Sequence, residues 1–196
     1  MILTTSKTIF AIEKIMKALK VIFELTKFRL SFLVSFSAIV GFILASDNFN
    51  FIDLLVLGLS GYLVTAASVI NNQILEKELD KKMDRTKNRP LPTNRISKTN
   101  STIISIIFML IGLASITLYF NLIAGLLSLA SLILYTFVYT PLKKVGPIAV
   151  FVGAIPGALP PLIGWVAFSG EISIEAIIIF SIQFIWQFPH FWAIAW

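Results

Sequence analysis

The stretch FIDLLVLGLSGYLVTAASVINNQILEKELDKKMDRTKNRPLP, residues 51–92, passes from a nearly unbroken apolar run to amide, carboxylate and guanidinium groups. The apolar part is about 20 residues long, the length of an α-helix that crosses a bilayer. Polar groups at the end of such a helix are costly to bury and are functional by default. This stretch therefore predicts a membrane-spanning helix whose end carries the chemistry of the protein.

The composition of the whole chain agrees with a membrane protein. Of its 196 residues 57% are hydrophobic and 13% are charged, and the mean hydropathy of +0.90 is too high for a soluble domain of this length. The lack of cysteine excludes disulfides and thiolate metal sites, and the single histidine, His190, excludes a histidine metal cluster. The net charge of +6 indicates orientation in the membrane, not binding to nucleic acid.

Length and apolarity predict six spans, so the expected fold class is all-α, a polytopic membrane helix bundle. The expected spans are 30–46, 51–72, 102–120, 121–141, 147–168 and 173–196. The third and fourth are joined by almost no chain and predict a tight antiparallel hairpin. Residues 1–29 interleave basic and apolar side chains, which predicts a basic amphipathic segment on the membrane surface, ahead of a transmembrane domain over 30–196.

The fifth span contains repeated prolines and glycines. Gly153 and Gly157 have the small-xxx-small spacing that brings helix backbones close together. The prolines predict either a kinked helix that lines a cavity, where freed carbonyls find partners, or a kink that serves packing alone.

All sixteen basic residues fall on one side of a six-span bundle, in the N-terminal segment, in residues 73–101 and at 143–144. The positive-inside rule then places the N-terminus and the 73–101 loop in the cytoplasm, with the plasma (inner) membrane as the expected location. The last span runs apolar to Trp196 with no basic residue after it, so we expect the domain to be truncated at its C-terminus.

Asn72, Glu76 and Asp80 are spaced four residues apart and lie on one slowly rotating helix face. All three offer oxygen, which is the ligand atom of Mg²⁺. Two carboxylates and an amide suit a Mg²⁺ that keeps several waters and also holds a phosphate.

A basic run follows, with Arg85, Lys87 and Arg89 close behind the acidic face. Arginine binds phosphate oxygens in pairs and lysine adds point charge, so this sequence of acid and then base predicts a site for metal and diphosphate. An amphiphile with a diphosphate head and an apolar tail fits a site at the mouth of a hydrophobic bundle. The alternative is a solvated cytoplasmic loop, which leaves Asn72 and Glu76 unexplained.

The run N-x-x-x-E-x-x-x-D followed by MDRTKNRPLP resembles the first acidic motif of the UbiA-type intramembrane prenyltransferases. Three further stretches resemble the same family: ELTKFRL at 24–30, YTPLKKVGPIAVFVGAIPGALPPLIGW at 139–165 and WQFPHFWAIAW at 186–196. The last two are most similar to the branch of the family that farnesylates haem B. The family usually has aspartate where Glu76 stands, and it has about nine spans with a second acidic motif after the sixth.

The resemblance implies a reaction in which a farnesyl group passes from farnesyl diphosphate to a vinyl group of haem B, giving haem O. Asn72, Glu76 and Asp80 would hold Mg²⁺, the expected cofactor. Arg85, Lys87 and Arg89, with Lys143 and Lys144 of the neighbouring loop, would neutralise the leaving diphosphate. The resemblance implies these two substrates and membrane lipid as partners. It does not indicate an oligomeric state.

Three side chains of the later spans have two possible roles. His190 is either a hydrogen-bonded structural residue or a contact to haem. Tyr139 and Trp165 are either anchors at the membrane interface or residues lining a cavity that receives haem.

Two alternatives to haem farnesylation remain at this stage. The first is a prenyltransferase of the same family acting on an aromatic or quinone precursor. The second is a cation transporter or channel, in which the acidic residues form an ion site and the prolines of the fifth span break a helix near the midplane.

Overall fold

The computed structural model describes the backbone of residues 2–143 and 145–195, and the side chains of 12–143, 145–191 and 193. This part of the chain is helical, without strands. Its helices are α1 (Ile2–Leu25), α2 (Phe28–Ala45), α3 (Phe51–Asp80), α4 (Lys98–Tyr119), α5 (Leu122–Leu142), α6 (Ile148–Ser169) and α7 (Ile174–Ala195). Residues Leu134–Tyr139 of α5 are π-helical.

Six of these helices, α2 to α7, are long and apolar enough to cross a membrane, which confirms the predicted span count and the all-α class. The helix α3 is longer than the expected span 51–72 and continues without a break to Asp80. The acidic residues therefore lie on one helix, as their spacing of four residues predicts.

Polar side chains begin several of the helices and tie them together. Asn50, Ser97 and Asn121 each accept a hydrogen bond from a backbone amide in the first turn of α3, α4 and α5. Asn121 also lies in the short turn of the predicted α4–α5 hairpin, and its Nδ2 donates to the carbonyl of Val166 in α6 at 2.8 Å. Such bonds supply the donors and acceptors that lipid lacks.

The centre of the bundle is α6, the most buried of the six spans. In its most apolar stretch of 18 residues, 56% of the residues are buried. Its backbone touches that of α2 at two glycines: a Cβ on Gly41 would overlap the carbonyl of Pro161, and one on Gly164 would overlap the carbonyl of Ala38. Small residues that let backbones meet are the usual means of holding membrane helices together.

The expected role of Gly153 and Gly157 is different in the structure. The space above Gly153 is filled by the ring of Tyr139, and the space above Gly157 by the amide of Gln187. These glycines therefore admit side chains of α5 and α7, while the close backbone contact belongs to Gly41 and Gly164. All four positions are glycine. The sequence therefore does not distinguish a glycine that contacts a backbone from one that makes room for a side chain.

The prolines of α6 lie inside one continuous helix. Pro160 has no amide hydrogen, so the carbonyl of Pro156 loses its intrahelical donor. Ser131 of α5 donates its hydroxyl to that carbonyl at 3.4 Å. Pro156 and Pro160 also line an internal cavity, which supports the first of the two interpretations of this span.

The N-terminal segment forms the expected helix, α1, and a two-residue turn at Thr26 and Lys27 joins it to α2. One side of α1 carries exposed apolar residues: Ile12, Ile15, Met16, Leu19 and Phe23. Its placement on the membrane surface stays a prediction.

We expect Gly164→Ala to destabilise the bundle by about 1–3 kcal/mol, because the new methyl group forces α6 away from the backbone of α2. The matched control is Gly58→Ala, whose methyl would meet only the flexible end of Ile39 at 3.0 Å. Thermal unfolding in detergent, followed by tryptophan fluorescence, measures both. Equal melting temperatures for the two variants would contradict the close contact between α2 and α6.

Candidate active site

The end of α3 brings its polar residues against the end of α5. Asn72, 1% exposed, donates from Nδ2 to Oγ1 of Thr140 at 2.9 Å. Thr140 in turn donates to the carbonyl of Tyr135, five residues earlier, at 2.8 Å. Because Nδ2 is used in this way, the amide oxygen of Asn72 is the atom left for a ligand.

Glu76, one turn further along α3, pairs with Lys143 from the turn after α5. The Nζ of Lys143 lies 3.2 Å and 3.3 Å from the two carboxylate oxygens. The same Nζ lies 4.8 Å from the ring centroid of Tyr139, within the range of a cation–π contact. The side chain of Glu76 is 14% exposed and that of Lys143 is 30% exposed, so the carboxylate is the more shielded member of the pair.

Asp80 ends α3 and pairs with Arg89 of the following loop. Nη1 of Arg89 lies 2.9 Å and 2.8 Å from the two carboxylate oxygens of Asp80, whose side chain is 5% exposed. Thr86 donates its hydroxyl to the backbone carbonyl of Asp80 at 3.0 Å. The loop therefore folds back over the end of α3 and returns a cation to the acidic face.

Lys27, in the turn between α1 and α2, interacts electrostatically with this cluster. Burial lowers the pKa of Lys27 to about 8, with further lowering by the charges of Arg89 and Lys143, opposed by those of Asp80 and Glu76. These same groups form the two pairs at the end of α3. The pattern of ELTKFRL, residues 24–30, does not indicate that the turn at residues 26–27 folds toward residues 76–89.

The turn that carries Lys27 is held by buried hydrogen bonds. Gln73 of α3 donates to the carbonyl of Leu25 at 2.6 Å, and the hydroxyl of Tyr62 donates to Oγ1 of Thr26 at 2.9 Å. Ser31 donates to the carbonyl of Thr26 at 2.7 Å. Lys27 itself has φ 44°, a left-handed conformation that non-glycine residues adopt only when their surroundings impose it.

Other members of the predicted basic set lie outside this cluster. Arg85 is exposed, and Lys87 pairs at 2.7 Å with Asp84, an exposed contact of the loop surface. Lys144 lies outside the described residues.

A cavity of about 410 Å³ lies inside the bundle, and Tyr139 is one of its lining residues. It is bounded by α2 to α7, and its walls are mainly apolar with several serine hydroxyls. The polar cluster and the cavity are neighbours, since Val69 lines the cavity three residues before Asn72 and Tyr139 precedes Thr140. The charged cluster, which we call the mouth, therefore lies next to the wall of an apolar chamber.

Two of the three side chains with open roles line this cavity. Tyr139 and Tyr135 both face it from the π-helical part of α5, a feature often found at functional sites. His190 is exposed, lines the cavity and stacks on Trp186 with ring centroids 4.9 Å apart. Trp165 instead packs against the main hydrophobic core.

The oxygen donors at the end of α3 are Asn72, Glu76 and Asp80. Within the described residues, no three His, Cys, Asp or Glu side chains are grouped closely enough to hold a metal by themselves. Two carboxylates and an amide oxygen on one helix face do fit Mg²⁺, which binds through one or two carboxylates and completes its shell with water and substrate phosphate. The nearby cations fit the diphosphate that would supply those oxygens.

Comparison with known proteins identifies the class: residues 34–196 match the UbiA prenyltransferase family, and the chain belongs to that family. It is an integral membrane protein. Two bacterial relatives are similar to the chain over most of its length. The chain is 50% identical over 175 residues to the protoheme IX farnesyltransferase of Cytophaga hutchinsonii, covering 89% of this chain and 61% of that protein. It is 48% identical to that of Christiangramia forsetii over 88% of this chain and 57% of the relative.

A eukaryotic relative is the mitochondrial protoheme IX farnesyltransferase of Arabidopsis thaliana, 41% identical over 88% of this chain and 40% of its own. The chain spans about 60% or less of the length of these relatives.

Solved structures share the fold. A digeranylgeranylglyceryl phosphate synthase superposes with a TM-score of 0.77 at 23% identity over 86% of this chain and 59% of its own. A UbiA homologue from Archaeoglobus fulgidus, bound to DMAPP and Mg²⁺, gives 0.70 at 21% over 86% and 62%.

We expect Arg89→Gln to lower the free energy of unfolding by about 1–3 kcal/mol, because it leaves the buried carboxylate of Asp80 without a cation. Lys87→Gln removes a cation from the exposed pair with Asp84 in the same loop and should leave stability unchanged. Chemical denaturation in mild detergent compares them. A loss of stability as large in Lys87→Gln as in Arg89→Gln would contradict the role given to the buried pair.

Lys27 should make stability depend on pH. Its folded-state pKa of about 8 lies below the ordinary 10.5, so unfolding takes up a proton between these values and stability rises with pH across that window. The melting temperature of the unaltered protein should therefore rise relative to Lys27→Met from pH 8 to 10. Lys14→Met, at an exposed lysine of α1, controls for loss of a charge. A constant difference between the protein and Lys27→Met over this range would disprove the burial of Lys27.

Proposed function

We propose that this chain carries the diphosphate site of a protoheme IX farnesyltransferase, which transfers the farnesyl group of farnesyl diphosphate to a vinyl group of haem B and so makes haem O. The observation that carries the proposal is the acidic face of α3, bordered by Lys27, Arg89 and Lys143, at the mouth of an apolar cavity. The names of the relatives support the substrates.

The amphiphilic substrate matches this layout. Its isoprenoid chain would lie in the apolar cavity, where burial of hydrocarbon is favourable, and its diphosphate would lie at the mouth. Asn72, Glu76 and Asp80 would hold Mg²⁺ through their oxygen atoms. The Archaeoglobus homologue bound to DMAPP and Mg²⁺ supports the use of this metal in the family. When bound, the ion would neutralise negative charge that develops on the leaving diphosphate.

The ion pairs of the site contain the carboxylates that would bind the metal and the cations that would bind the diphosphate. Glu76 and Asp80 would turn from Lys143 and Arg89 to the metal, and the two cations would then be available to the phosphate oxygens. Lys27 would add a third positive charge from the α1–α2 turn. Arg85, Lys87 and Lys144 remain proposed contacts, of which Arg85 and Lys87 would have to move inward from the loop surface.

The reaction would begin with ionisation of the allylic C–O bond, whose electron pair leaves with the diphosphate. Tyr139, at the cavity mouth, and Tyr135 are placed to stabilise the allylic cation with their ring faces. The π electrons of the haem vinyl group then form the new C–C bond. Water adds to the resulting cation and loses a proton, which leaves a hydroxyethylfarnesyl group.

His190 is the side chain best placed to meet the acceptor. It is exposed at the cavity beside Trp186, which supports a contact with haem over a buried structural role. Trp165, packed in the core, would act on haem only through its neighbours.

Membership of the UbiA family favours an enzyme over the cation-transporter alternative. The distribution of basic residues supports a cytoplasmic N-terminus and 73–101 loop in the plasma (inner) membrane. The diphosphate site would then face the cytoplasm.

Asp80→Asn should reduce haem O formation about a hundredfold or more, because it weakens both metal binding and the charge balance of the mouth. The matched control is Asp84→Asn, an exposed carboxylate of the same loop, which should keep activity. Haem is extracted from cells that express the full gene and identified by mass, with membrane levels of each variant checked by immunoblotting. A well-expressed protein that prenylates a hydroxybenzoate and makes no haem O would overturn the acceptor.

A further inference from the structure

A second cavity, separate from the active site, lies between α1 and the beginning of α4. Its volume is about 670 Å³, a size typical of sites for small molecules. We call it the α1–α4 groove; its lining is Lys17, Ala18, Lys20, Val21 and Ile22 from α1, Arg95 and Ile96 from the loop, and Asn100, Ile103 and Ile104 from α4.

The groove has an apolar wall that is built into the protein. Ile96 and Ile104 pack against a buried cluster of Leu25, Ile70 and Leu91, so this side is fixed by the interior of the bundle. Ile103 remains 50% exposed beside it. The groove thus presents hydrocarbon that neighbouring helices leave uncovered.

The rim of the groove is positively charged. It carries Lys17, Lys20 and Arg95, and among the described side chains the one carboxylate paired with them is Glu24, whose Oε2 lies 2.7 Å from Nη2 of Arg95. That ion pair joins α1 to the loop and holds Arg95 in place at the rim. The first turn of α4, with Asn100 facing the groove, adds the partial positive charge of a helix N-terminus.

The position of the groove along α4 matches the boundary of a bilayer. α4 begins at Lys98, and Ile103 and Ile104 lie about 7–9 Å further along its axis, inside the apolar span. The cations are therefore at the height of lipid headgroups, and the apolar wall at the height of the first acyl carbons.

From the charge of the rim and the apolar wall below it, we propose that the α1–α4 groove binds one anionic phospholipid of the bilayer. The phosphate and its anionic headgroup lie against Lys17 and Lys20, and an acyl chain lies along Ile103 and Ile104. Basic pockets on the cytoplasmic side of membrane helices recognise anionic headgroups in this way. Such a lipid fastens α1 to the bundle at the end of the helix that leads to Lys27. The inference does not rest on the proposed function.

The test uses native mass spectrometry of the whole chain in micelles titrated with phosphatidylglycerol or with phosphatidylcholine of the same acyl chains. The unaltered protein should retain one phosphatidylglycerol in preference to phosphatidylcholine. Lys17→Gln with Lys20→Gln should weaken this first binding about 25-fold, since each interfacial cation contributes roughly a fivefold attraction. Ala18→Trp should block it by filling the groove without changing charge.

The matched control removes two exposed lysines outside the groove, Lys14→Gln with Lys82→Gln, and should leave the first binding unchanged. Equal losses in the two double variants would mean diffuse attraction and would overturn the site. So would equal retention of the two lipids, or normal binding in Ala18→Trp. A lipid-free dimer that cross-links through α1 would show that a second copy covers the groove.

Discussion

The end of the bundle that carries Glu76 and Asp80 depends on the cost of keeping carboxylates ionised next to a membrane. Glu76 and Asp80 stand on the last turns of a long apolar helix, where little water reaches them. Each is paired with a cation from another part of the chain: Lys143 from the α5–α6 turn and Arg89 from the loop after α3. These pairs therefore organise the tertiary structure around the site as well as the site itself.

The chamber below the charged mouth has a different physical origin. Gly41 and Gly164 let α2 and α6 meet at their backbones, which fixes the middle of the bundle. Above that contact, Gly153 and Gly157 make room for Tyr139 and for Gln187, whose Nε2 donates to the carbonyl of Ala154 at 3.0 Å. The ring of Tyr139 and the amide of Gln187 thereby extend across the bundle and line the cavity.

In the proposed reaction, the charged mouth and the apolar chamber would serve the two different parts of an amphiphilic substrate. A diphosphate needs cations and a metal, and an isoprenoid chain needs hydrocarbon surroundings, and the end of α3 is where the two environments meet. The continuous helix to Asp80 and the hydrogen-bonded turn at Lys27 fix the backbone positions of the polar groups. In the proposed reaction only side chains would then change partners, from ion pairs within the site to metal and phosphate.

The sequence by itself determined the membrane class, the six spans and the acidic face, because hydrophobic length and a spacing of four residues are local properties of a helix. The family was readable as well, from motifs that keep their order along the chain. Only the tertiary structure decided which cations meet that face. Arg85, Lys87 and Arg89 are equivalent in sequence, but Arg89 reaches Asp80 because the loop folds back, while Lys87 pairs with Asp84 at the surface. Lys27 joins the site from a segment far away in sequence, and Gly153 receives a tyrosine ring where its spacing had indicated a backbone contact. Contacts between distant segments depend on how whole helices pack, and no local pattern records that.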